Sequence, residues 1–374
     1  MSVPRTVCFL TGTLDALAGA ERVTAVLANA LADRGWRVHI LCLWGTRSQF
    51  DLNQDVHTHT LFAARPSFRT HYVATVRGIR EYVRTHAIEI LVGVDTMLAW
   101  FTLPACLGLN VKQVAWEHAS FDQDLGRRAR RSARRIAAKR FACVVVLTET
   151  DRQQWLDAIG RQAPITCIAN PLPFHPMEVS STTLPKTGPG KVLAVGRLVH
   201  AKGFDILLHA WQLALPSVPG WHLEIVGDGE CGDALRQLCN SLGISAHVTL
   251  SPATREIEDH YRQASLFCLS SRHEGFGMVM VEAMAFGLPV IATDCPVGPR
   301  ALLRHDENAM VVPVDDARRL ANGLVTMIRD PGLRERLARR GMETARVYDP
   351  DAIAARWEHL FVQITNRPLA GNRP

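Results

Sequence analysis

The stretch KVLAVGRLVHAKGFDILLHA, residues 191–210, decides the fold class. Its first five residues form an apolar run typical of a buried strand, and the residues from position 203 onward have the apolar spacing of a helix. The same alternation begins the chain, where TVCFLTG (6–12) precedes the helical pattern AERVTAVLANALADRG (20–35). The strands are apolar on both faces, as in parallel sheets covered by helices. The sequence therefore predicts a doubly wound α/β protein.

One proline-rich segment, NPLPFHPMEVSSTTLPKTGPG (170–190), interrupts this alternation with five prolines and two glycines. Such a composition without periodicity is typical of a linker. We therefore predict a Rossmann-like domain over residues 1–170, a linker over 171–190 and a second Rossmann-like domain over 191–349. A closing helix over 350–366 can cross back to the first domain. Two parallel sheets facing each other would form a cleft, and ligands of such sheets bind beyond the carboxyl ends of the strands.

The bulk composition excludes several classes of protein. The balance of 42 basic and 36 acidic residues, or +6, is too weak by itself to indicate nucleic-acid binding. The N-terminus lacks a signal peptide, and the longest uncharged apolar stretch, Thr96 to Val111, is too short and interrupted to span a bilayer. The nine cysteines form no CxxC and lie in apolar runs, which favours a reducing, cytoplasmic location.

Two motifs of the second domain indicate the chemistry of a ligand. Arg197 and Lys202 flank a strand-to-helix turn, where two cations form an anion site. In SSRHEGFGMVMVEAMAFGLP (270–289), Glu274 and Glu282 lie on either side of a glycine bend, and carboxylates accept hydrogen bonds from sugar hydroxyls. Surface solvation of the cations and a helix-dipole role for Glu274 are the alternatives. Glu282 lies in an apolar helix, where a carboxylate needs a partner. Together the motifs describe a nucleotide-sugar site.

The stretch VGDGECG (226–232) contains Gly227 and formally matches the dinucleotide fingerprint G-x-G-x-x-G. That fingerprint also needs an acidic residue at the end of the next strand, and HVTLSP (247–252) has none. We therefore predict no NAD or FAD, although the glycines allow a ligand to approach the backbone closely.

The second domain resembles that of the retaining glycosyltransferases of family 4, which have the GT-B fold. The similarity covers VGRLVHAKGFDILLHA (195–210), HLEIVGDG (222–229), the region 269–303 and the closing helix. It implies that Arg197 and Lys202 hold the donor diphosphate, that Glu274 holds the transferred sugar and that Glu282 holds the ribose. TDCPVGPR (293–300) resembles a subgroup that uses UDP-hexoses or UDP-N-acetylhexosamines. The implied backbone contacts to the donor come from Gly227, Gly275, Phe276 and Gly277.

The first domain resembles the same family less specifically. LAGAERV (17–23) places Gly19 at a helix start, like the family's glycine-rich loop near the donor phosphate. AWEHAS (115–120) places His118 at a strand end, where a structural role is the alternative. The resemblance implies that His118 contacts the sugar and stabilises the transition state. DQD (122–124) matches the metal-binding DxD of another glycosyltransferase fold, but here it opens a helix. We predict no required metal and no cofactor, since the UDP-sugar is a substrate.

Two basic segments of the first domain predict an anionic partner. RRARRSARRIAAKR (127–140) has eight cations and no acid, and a helix would gather its alanines on one side with cations around the rest. Such a helix suits an anionic membrane surface or ligand. A second segment carries arginines at helical spacing. Because the first domain binds the acceptor in the resembling family, we predict contact with a membrane-borne, phosphate-bearing acceptor through Arg77, Arg80, Arg84, Arg127, Arg128, Arg131 and Arg135.

Together these expectations predict a retaining transferase that moves a hexosyl or N-acetylhexosaminyl group from a UDP-sugar to a lipid-linked oligosaccharide or lipopolysaccharide. The expected location is the inner face of the cytoplasmic membrane, in cell-surface polysaccharide biosynthesis. A soluble GT-B glycosyltransferase or a nucleotide-sugar epimerase acting on a small molecule is the alternative. A non-catalytic protein that binds nucleotide sugars or anionic lipids would not need all of His118, Arg197, Lys202, Glu274 and Glu282. Nucleic-acid binding would rest on the arginine run alone, so none is predicted.

Overall fold

The computed structural model describes residues 5–16, 18–123, 128–160, 164–179 and 190–365. The chain divides into two compact units. The first unit contains the residues up to 173 together with those from 350 onward, and the second contains residues 174–349. Both units are built on wholly parallel sheets with helices between the strands, which confirms the predicted α/β class.

The first unit has a seven-stranded sheet in the order β3-β2-β1-β4-β5-β6-β7. The order reverses direction between β1 and β4, and ligands of such sheets bind at this switch point. Its strands are β1 (Thr6–Thr11), β2 (Arg37–Trp44), β3 (Val56–Phe62), β4 (Ile90–Gly93), β5 (Lys112–Trp116), β6 (Cys143–Val146) and β7 (Ile165–Cys167). The helices between them are α1 (Gly19–Asp33), α2 (Tyr72–Thr85), α3 (Ala99–Ala105), α4 (Arg128–Arg140) and α5 (Glu149–Ile159).

The second unit has a six-stranded sheet in the order β10-β9-β8-β11-β12-β13, with its switch point between β8 and β11. The predicted linker contributes a short helix to this unit. The strands are β8 (Lys191–Val195), β9 (His222–Val226), β10 (Val248–Ser251), β11 (Leu266–Leu269), β12 (Val290–Thr293) and β13 (Met310–Val312). The helices are α6 (Pro176–Val179), α7 (Phe204–Ala214), α8 (Gly232–Ser241), α9 (Ile257–Gln263), α10 (Met278–Ala285), α11 (Gly298–Leu302), α12 (Ala317–Arg329) and α13 (Pro331–Ala345).

The last described helix, α14 (Pro350–Thr365), belongs to the first unit and packs on α1. The buried indole of Trp357 lies 5.0 Å from the ring centroid of Trp116 and 6.5 Å from that of Phe9. The Glu358 carboxylate accepts hydrogen bonds from Arg34 Nε at 2.6 Å and from Trp36 Nε1 at 2.8 Å. The core of the first unit is therefore completed by residues from the far end of the chain. None of the described helices combines the length and the apolar character that crossing a bilayer requires.

Candidate active site

Lys202 and Glu274 meet at the switch point of the second unit. Lys202 follows β8 and Glu274 follows β11, the two neighbouring strands between which the sheet order reverses. The Lys202 Nζ donates a hydrogen bond to Glu274 Oε1 over 2.6 Å, and Ser271 Oγ donates to the same oxygen over 2.6 Å. The structure thus places a cation and a carboxylate where a doubly wound sheet binds its ligand.

Backbone contact between the two loops explains why these side chains meet. Gly203 ends the turn that carries Lys202 and has a left-handed φ of 63°. A Cβ at this position would lie 2.1 Å from the carbonyl oxygen of Ser270, so any larger residue would separate the loops. The Ser270 hydroxyl in turn donates to the carbonyl of Lys202 over 2.9 Å. The glycine of the sequence VHAKGF is therefore needed for the geometry of the pair.

The glycine bend after Glu274 leads directly into α10. Gly277 precedes the helix and has a left-handed φ of 88°, whereas Gly275 is not among the glycines with positive φ. Phe276 between them is buried and lies 5.4 Å from the ring of Tyr348. No side chain caps the N-terminus of α10, so its first amides are left for a ligand or water.

Glu282 lies within α10 and is only 4% exposed. Its Oε2 accepts a hydrogen bond from the hydroxyl of Tyr261, in α9, over 3.0 Å. A partner was expected for this carboxylate, but nothing in the sequence points to Tyr261, which is 21 residues away in the chain. Its ring also stacks on Phe286 at 5.3 Å, which orients the hydroxyl. Contact of Glu282 with a ribose stays a prediction.

Gly227 lies against the loop that follows β8, and its predicted backbone contact with the donor stays a prediction. A Cβ there would lie 2.0 Å from the carbonyl oxygen of Gly196, so the close approach that this glycine allows is that of the loop after β8. The same loop carries Arg197, whose side chain is exposed. Within the described ranges no ion pair or hydrogen bond is found for its guanidinium. Arg197 is therefore available to an anion near the turn that carries Lys202.

In the first unit, Gly19 is the first residue of α1 and follows β1 at the switch point. It is exposed, and a Cβ at this position would have no neighbour within 4 Å among the described residues. The residue before it, Ala18, provides no side-chain cap, so the helix presents uncapped amides.

His118 follows β5, and its ring packs on Trp116 with the centroids 4.6 Å apart. Burial lowers the pKa of His118 to about 4, so the imidazole is neutral at pH 7. Its Nε2 is buried and has no hydrogen-bond partner among the described residues. A neutral imidazole with an unpaired buried nitrogen can bind a hydroxyl group without adding a charge to the site.

The cations of the basic helix α4 were expected on its solvent side, but two of them are buried. Arg130 and Arg134 are only 3% and 2% exposed. Arg130 donates to Glu117 over 2.9 Å and binds both carboxylate oxygens of Asp95 over 2.9 and 2.8 Å. The physical reason is that acids at the ends of β4 and β5 lie under the helix, and buried charges pair with each other.

Arg134 completes this buried network. Its Nε donates to Glu117 Oε2 over 3.0 Å, and its guanidinium also donates to the carbonyls of Ser120, Phe121 and Gln123. These residues form the loop that directly follows His118. The buried network of Asp95, Glu117, Arg130 and Arg134 therefore fixes the segment that carries the histidine. The sequence predicts the basic run that contains the two arginines, but not that two acids earlier in the chain pair with them.

The remaining predicted acceptor residues divide into three groups. Arg80 donates to the carbonyls of Ala105 and Leu107 over 2.9 and 2.7 Å, so its guanidinium is engaged within the first unit. Arg127 lies outside the described residues. The exposed group consists of Arg77, Arg84, Arg128, Arg131 and Arg135.

Comparisons with known proteins identify the class of the molecule. Residues 17–176 match the model of Glycosyltransferase Family 4, and residues 178–344 match that of Glycosyl transferases group 1. An uncharacterized glycosyltransferase of Haemophilus influenzae is 31% identical over 343 residues, which cover 92% of this chain and 96% of that one. The chain therefore belongs to the glycosyltransferases, and its residues 17–176 match Glycosyltransferase Family 4.

A second relative and a solved structure extend the comparison. The relative, from Campylobacter jejuni, is named as an N-acetyl-D-galactosaminyltransferase acting on a GalNAc-GalNAc-diNAcBac-PP-undecaprenol; it is 23% identical over 96% of this chain and 99% of that one. The structure is Anabaena HepE in complex with UDP and glucose, with a TM-score of 0.80 and 19% identity over 96% of this chain and 100% of that one. The fold is thus GT-B, as the resemblance implied.

Proposed function

We propose that the chain transfers a hexosyl or N-acetylhexosaminyl group from a UDP-sugar to a membrane-associated glycan, with retention of configuration and without a required metal. The acceptor is a lipid-linked oligosaccharide or lipopolysaccharide in cell-surface polysaccharide biosynthesis. The observation that carries the proposal is the Lys202–Glu274 pair at the switch point of the second unit. It offers one group for a diphosphate and one for sugar hydroxyls, side by side.

In the proposed reaction, the cations of the site contact the diphosphate and its carboxylate contacts the sugar hydroxyls. The bond from the sugar C1 to the diphosphate oxygen breaks, and negative charge develops on the departing UDP, where Lys202 and Arg197 stabilise it. Glu274 accepts hydrogen bonds from the sugar hydroxyls, and the neutral His118 adds a further contact. The acceptor oxygen bonds to C1 on the face that UDP leaves, and its proton passes to the departing phosphate. The UDP and glucose held by HepE support a UDP-sugar donor.

A donor screen tests this proposal. UDP-hexoses and UDP-N-acetylhexosamines should raise the thermal midpoint of the full chain, because a ligand at 100 times its Kd adds about 2.7 kcal/mol to stability. The corresponding GDP- and ADP-sugars serve as controls, and EDTA should leave both binding and turnover unchanged. NMR of the product should show the anomeric configuration of the donor. Donor epimerised without an acceptor, or an inverted product, would contradict the proposal.

A surface of the first unit supports contact with a membrane. The starts of α2, α3 and α4 meet there, because the Tyr72 hydroxyl donates to the Trp100 carbonyl over 2.8 Å and Trp100 Nε1 donates to the Ala129 carbonyl over 3.3 Å. Large apolar side chains are exposed on the same helices, with Val73 56% exposed. We call the exposed side of α2, α3 and α4 the α2–α4 surface; its aromatic and apolar side chains are Tyr72, Val73 and Trp100, and its arginines are Arg77, Arg84, Arg128, Arg131 and Arg135.

The chemistry of the α2–α4 surface fits an anionic bilayer. Tyrosine and tryptophan rings favour the membrane–water interface, and each arginine near an anionic leaflet contributes about 1 kcal/mol. The name of the C. jejuni relative includes a polyprenyl diphosphate, an acceptor that is held in such a membrane. Docking by this surface would bring the first unit to a lipid-linked acceptor.

Charge reversal tests the membrane contact. The triple change Arg128→Glu, Arg131→Glu and Arg135→Glu should lower binding to vesicles containing anionic lipid by roughly 100-fold or more at low salt, since three contacts of about 1 kcal/mol each are lost. These positions leave the buried Arg130 and Arg134 intact. The matched control is the same change in net charge on the second unit, Arg318→Glu, Arg319→Glu and Arg339→Glu. Equal vesicle binding by the two triple variants would contradict the proposed surface.

A further inference from the structure

A histidine pocket lies at the edge of the first unit's sheet, apart from the residues of the candidate active site. It has a volume of about 780 Å³ and is formed by β2, β3 and α2. His39 is near the start of β2 and His57 near the start of β3, so the pocket lies toward the amino ends of the strands. The histidines that line it are His39, His57, His59 and His86.

The strand register brings two of these imidazoles together. His39 and His57 are directly paired across the parallel strands β2 and β3, so their side chains share one face of the sheet. Their ring centroids are 4.9 Å apart, and that of His86 is 5.2 Å from that of His39. Two imidazoles on one tetrahedral zinc ion, with Zn–N bonds of about 2.0–2.1 Å, have their centroids roughly 5 Å apart. The centroid distances of His57 and of His86 from His39 are therefore those expected for two imidazoles on one ion.

Hydrogen bonds at Nδ1 leave Nε2 as the binding nitrogen of His86, and also of His39 in the tautomer whose Nδ1 donates to Tyr82. His86 Nδ1 lies 3.0 Å from the carbonyl oxygen of Tyr82 and must donate to it, which leaves the lone pair on Nε2. His39 Nδ1 lies 2.9 Å from the Tyr82 hydroxyl. His39 is only 3% exposed, and its Nε2 has no partner among the described residues. A buried unpaired nitrogen is costly, and metal-binding histidines are oriented by hydrogen bonds of this kind at their other nitrogen.

We propose that His39, His57 and His86 bind one divalent transition-metal ion of borderline softness, such as Zn²⁺ or Co²⁺, through their Nε2 atoms. Neutral imidazoles favour such ions over Mg²⁺ or Ca²⁺. The ring nitrogens are not gathered around one point in this conformation, so binding requires the exposed His57 side chain to rotate. A water completes the coordination from the open side of the pocket. The ion fastens the edge strand β3 and the end of α2 to β2.

His59 provides the matched comparison within the same pocket. It is two residues from His57 on the same strand, and its ring stacks on Tyr82 at 5.1 Å. The His86 ring also stacks on Tyr82, at 4.0 Å, but it lies in addition 5.2 Å from the ring of His39, whose unpaired Nε2 stacking does not explain. Both His57 and His59 are exposed, so alanine at either position should be tolerated equally by the fold.

The test is titration of the full chain, freed of metal by a chelator, with ZnCl₂ and CoCl₂ alone. Calorimetry should show one saturable site, and the thermal midpoint should rise with metal concentration. His57→Ala and His86→Ala should each weaken binding at least about tenfold, the range seen when metal sites lose a supporting group, whereas His59→Ala should bind as the unmodified chain does. The Co²⁺ spectrum should lack thiolate charge-transfer bands, which separates this site from the nine cysteines.

Two results would overturn the proposal. One is equal affinity in His57→Ala and His59→Ala, and the other is the absence of saturable Zn²⁺ or Co²⁺ binding. The readout is independent of transferase activity, so the metal site and the proposed function can fail separately.

Discussion

Lys202→Ala is expected to lower kcat/KM for sugar transfer by about 100- to 1000-fold, the effect of removing one preorganised group that stabilises developing charge. The Glu274 carboxylate accepts a hydrogen bond from Lys202, which holds this cation at the switch point of the sheet. The substitution removes the cation that stabilises the leaving group, and it also leaves the Glu274 carboxylate without its cationic partner. The measurement is initial-rate kinetics with the donor identified by the thermal screen, together with the thermal midpoint of each variant.

The matched control is Lys191→Ala. Lys191 also lies in the second unit and pairs with a carboxylate, that of Glu224, over 2.7 Å, but at the start of β8 and away from the switch point. Its removal should leave the kinetics near those of the unmodified chain. If Lys202→Ala and Lys191→Ala had the same kinetics, Lys202 would have no part in leaving-group stabilisation, whatever the effect on stability.

Arg134→Ala is expected to lower the free energy of unfolding by about 3–5 kcal/mol, because the substitution leaves Glu117 charged and buried with one partner fewer. The side chains of Arg134 and Glu117 are 2% and 0% exposed, so water cannot replace the lost contact without a rearrangement. Urea denaturation monitored by tryptophan fluorescence measures the change. The control is the next residue, since Arg135→Ala removes an exposed cation from the same helix and should alter stability by about 0.5 kcal/mol or less.

A second substitution separates charge burial from packing. Arg134→Met combined with Glu117→Gln removes both charges while keeping similar volumes, and it should cost less than Arg134→Ala alone. Transfer activity should nevertheless remain low in the double variant, because the loop after His118 loses the donor that holds its three carbonyls. Equal stability of Arg134→Ala and Arg135→Ala would show that the buried network contributes nothing to folding.

Most of the strands are predictable because they are apolar on both faces, and such an apolar run can be recognised from the sequence alone. The sequence did not predict β3, whose sequence VHTHTLF has four consecutive polar residues and only one buried position, as an edge strand can. The short strands β7 and β13, of three residues each, also carry too little periodicity to be recognised.

The contacts of the candidate site are predictable where both residues belong to the recognised motifs. They are not predictable where the second residue of a pair lies elsewhere in the chain. Lys202 and Glu274 follow neighbouring strands, so their proximity follows from the topology of a doubly wound sheet. The bond from Tyr261 to Glu282 depends instead on how α9 and α10 pack, and the bond from Arg130 to Asp95 on how α4 packs on the end of β4. A run of arginines looks uniformly cationic in sequence, and only the acids beneath α4 show which two are internal.

The packing of α14 also has a consequence for the order in which the protein is made. Trp357 fills a space against Phe9 and Trp116, yet it is synthesised more than two hundred residues after either of them. Domains usually complete their folding in the order of synthesis. During synthesis the first unit lacks α14, so part of its core stays uncovered until the residues from 350 onward have been made. The second unit has all of its strands within residues 174–349 and does not depend on a later segment. The unit that starts first is thus the one that finishes last.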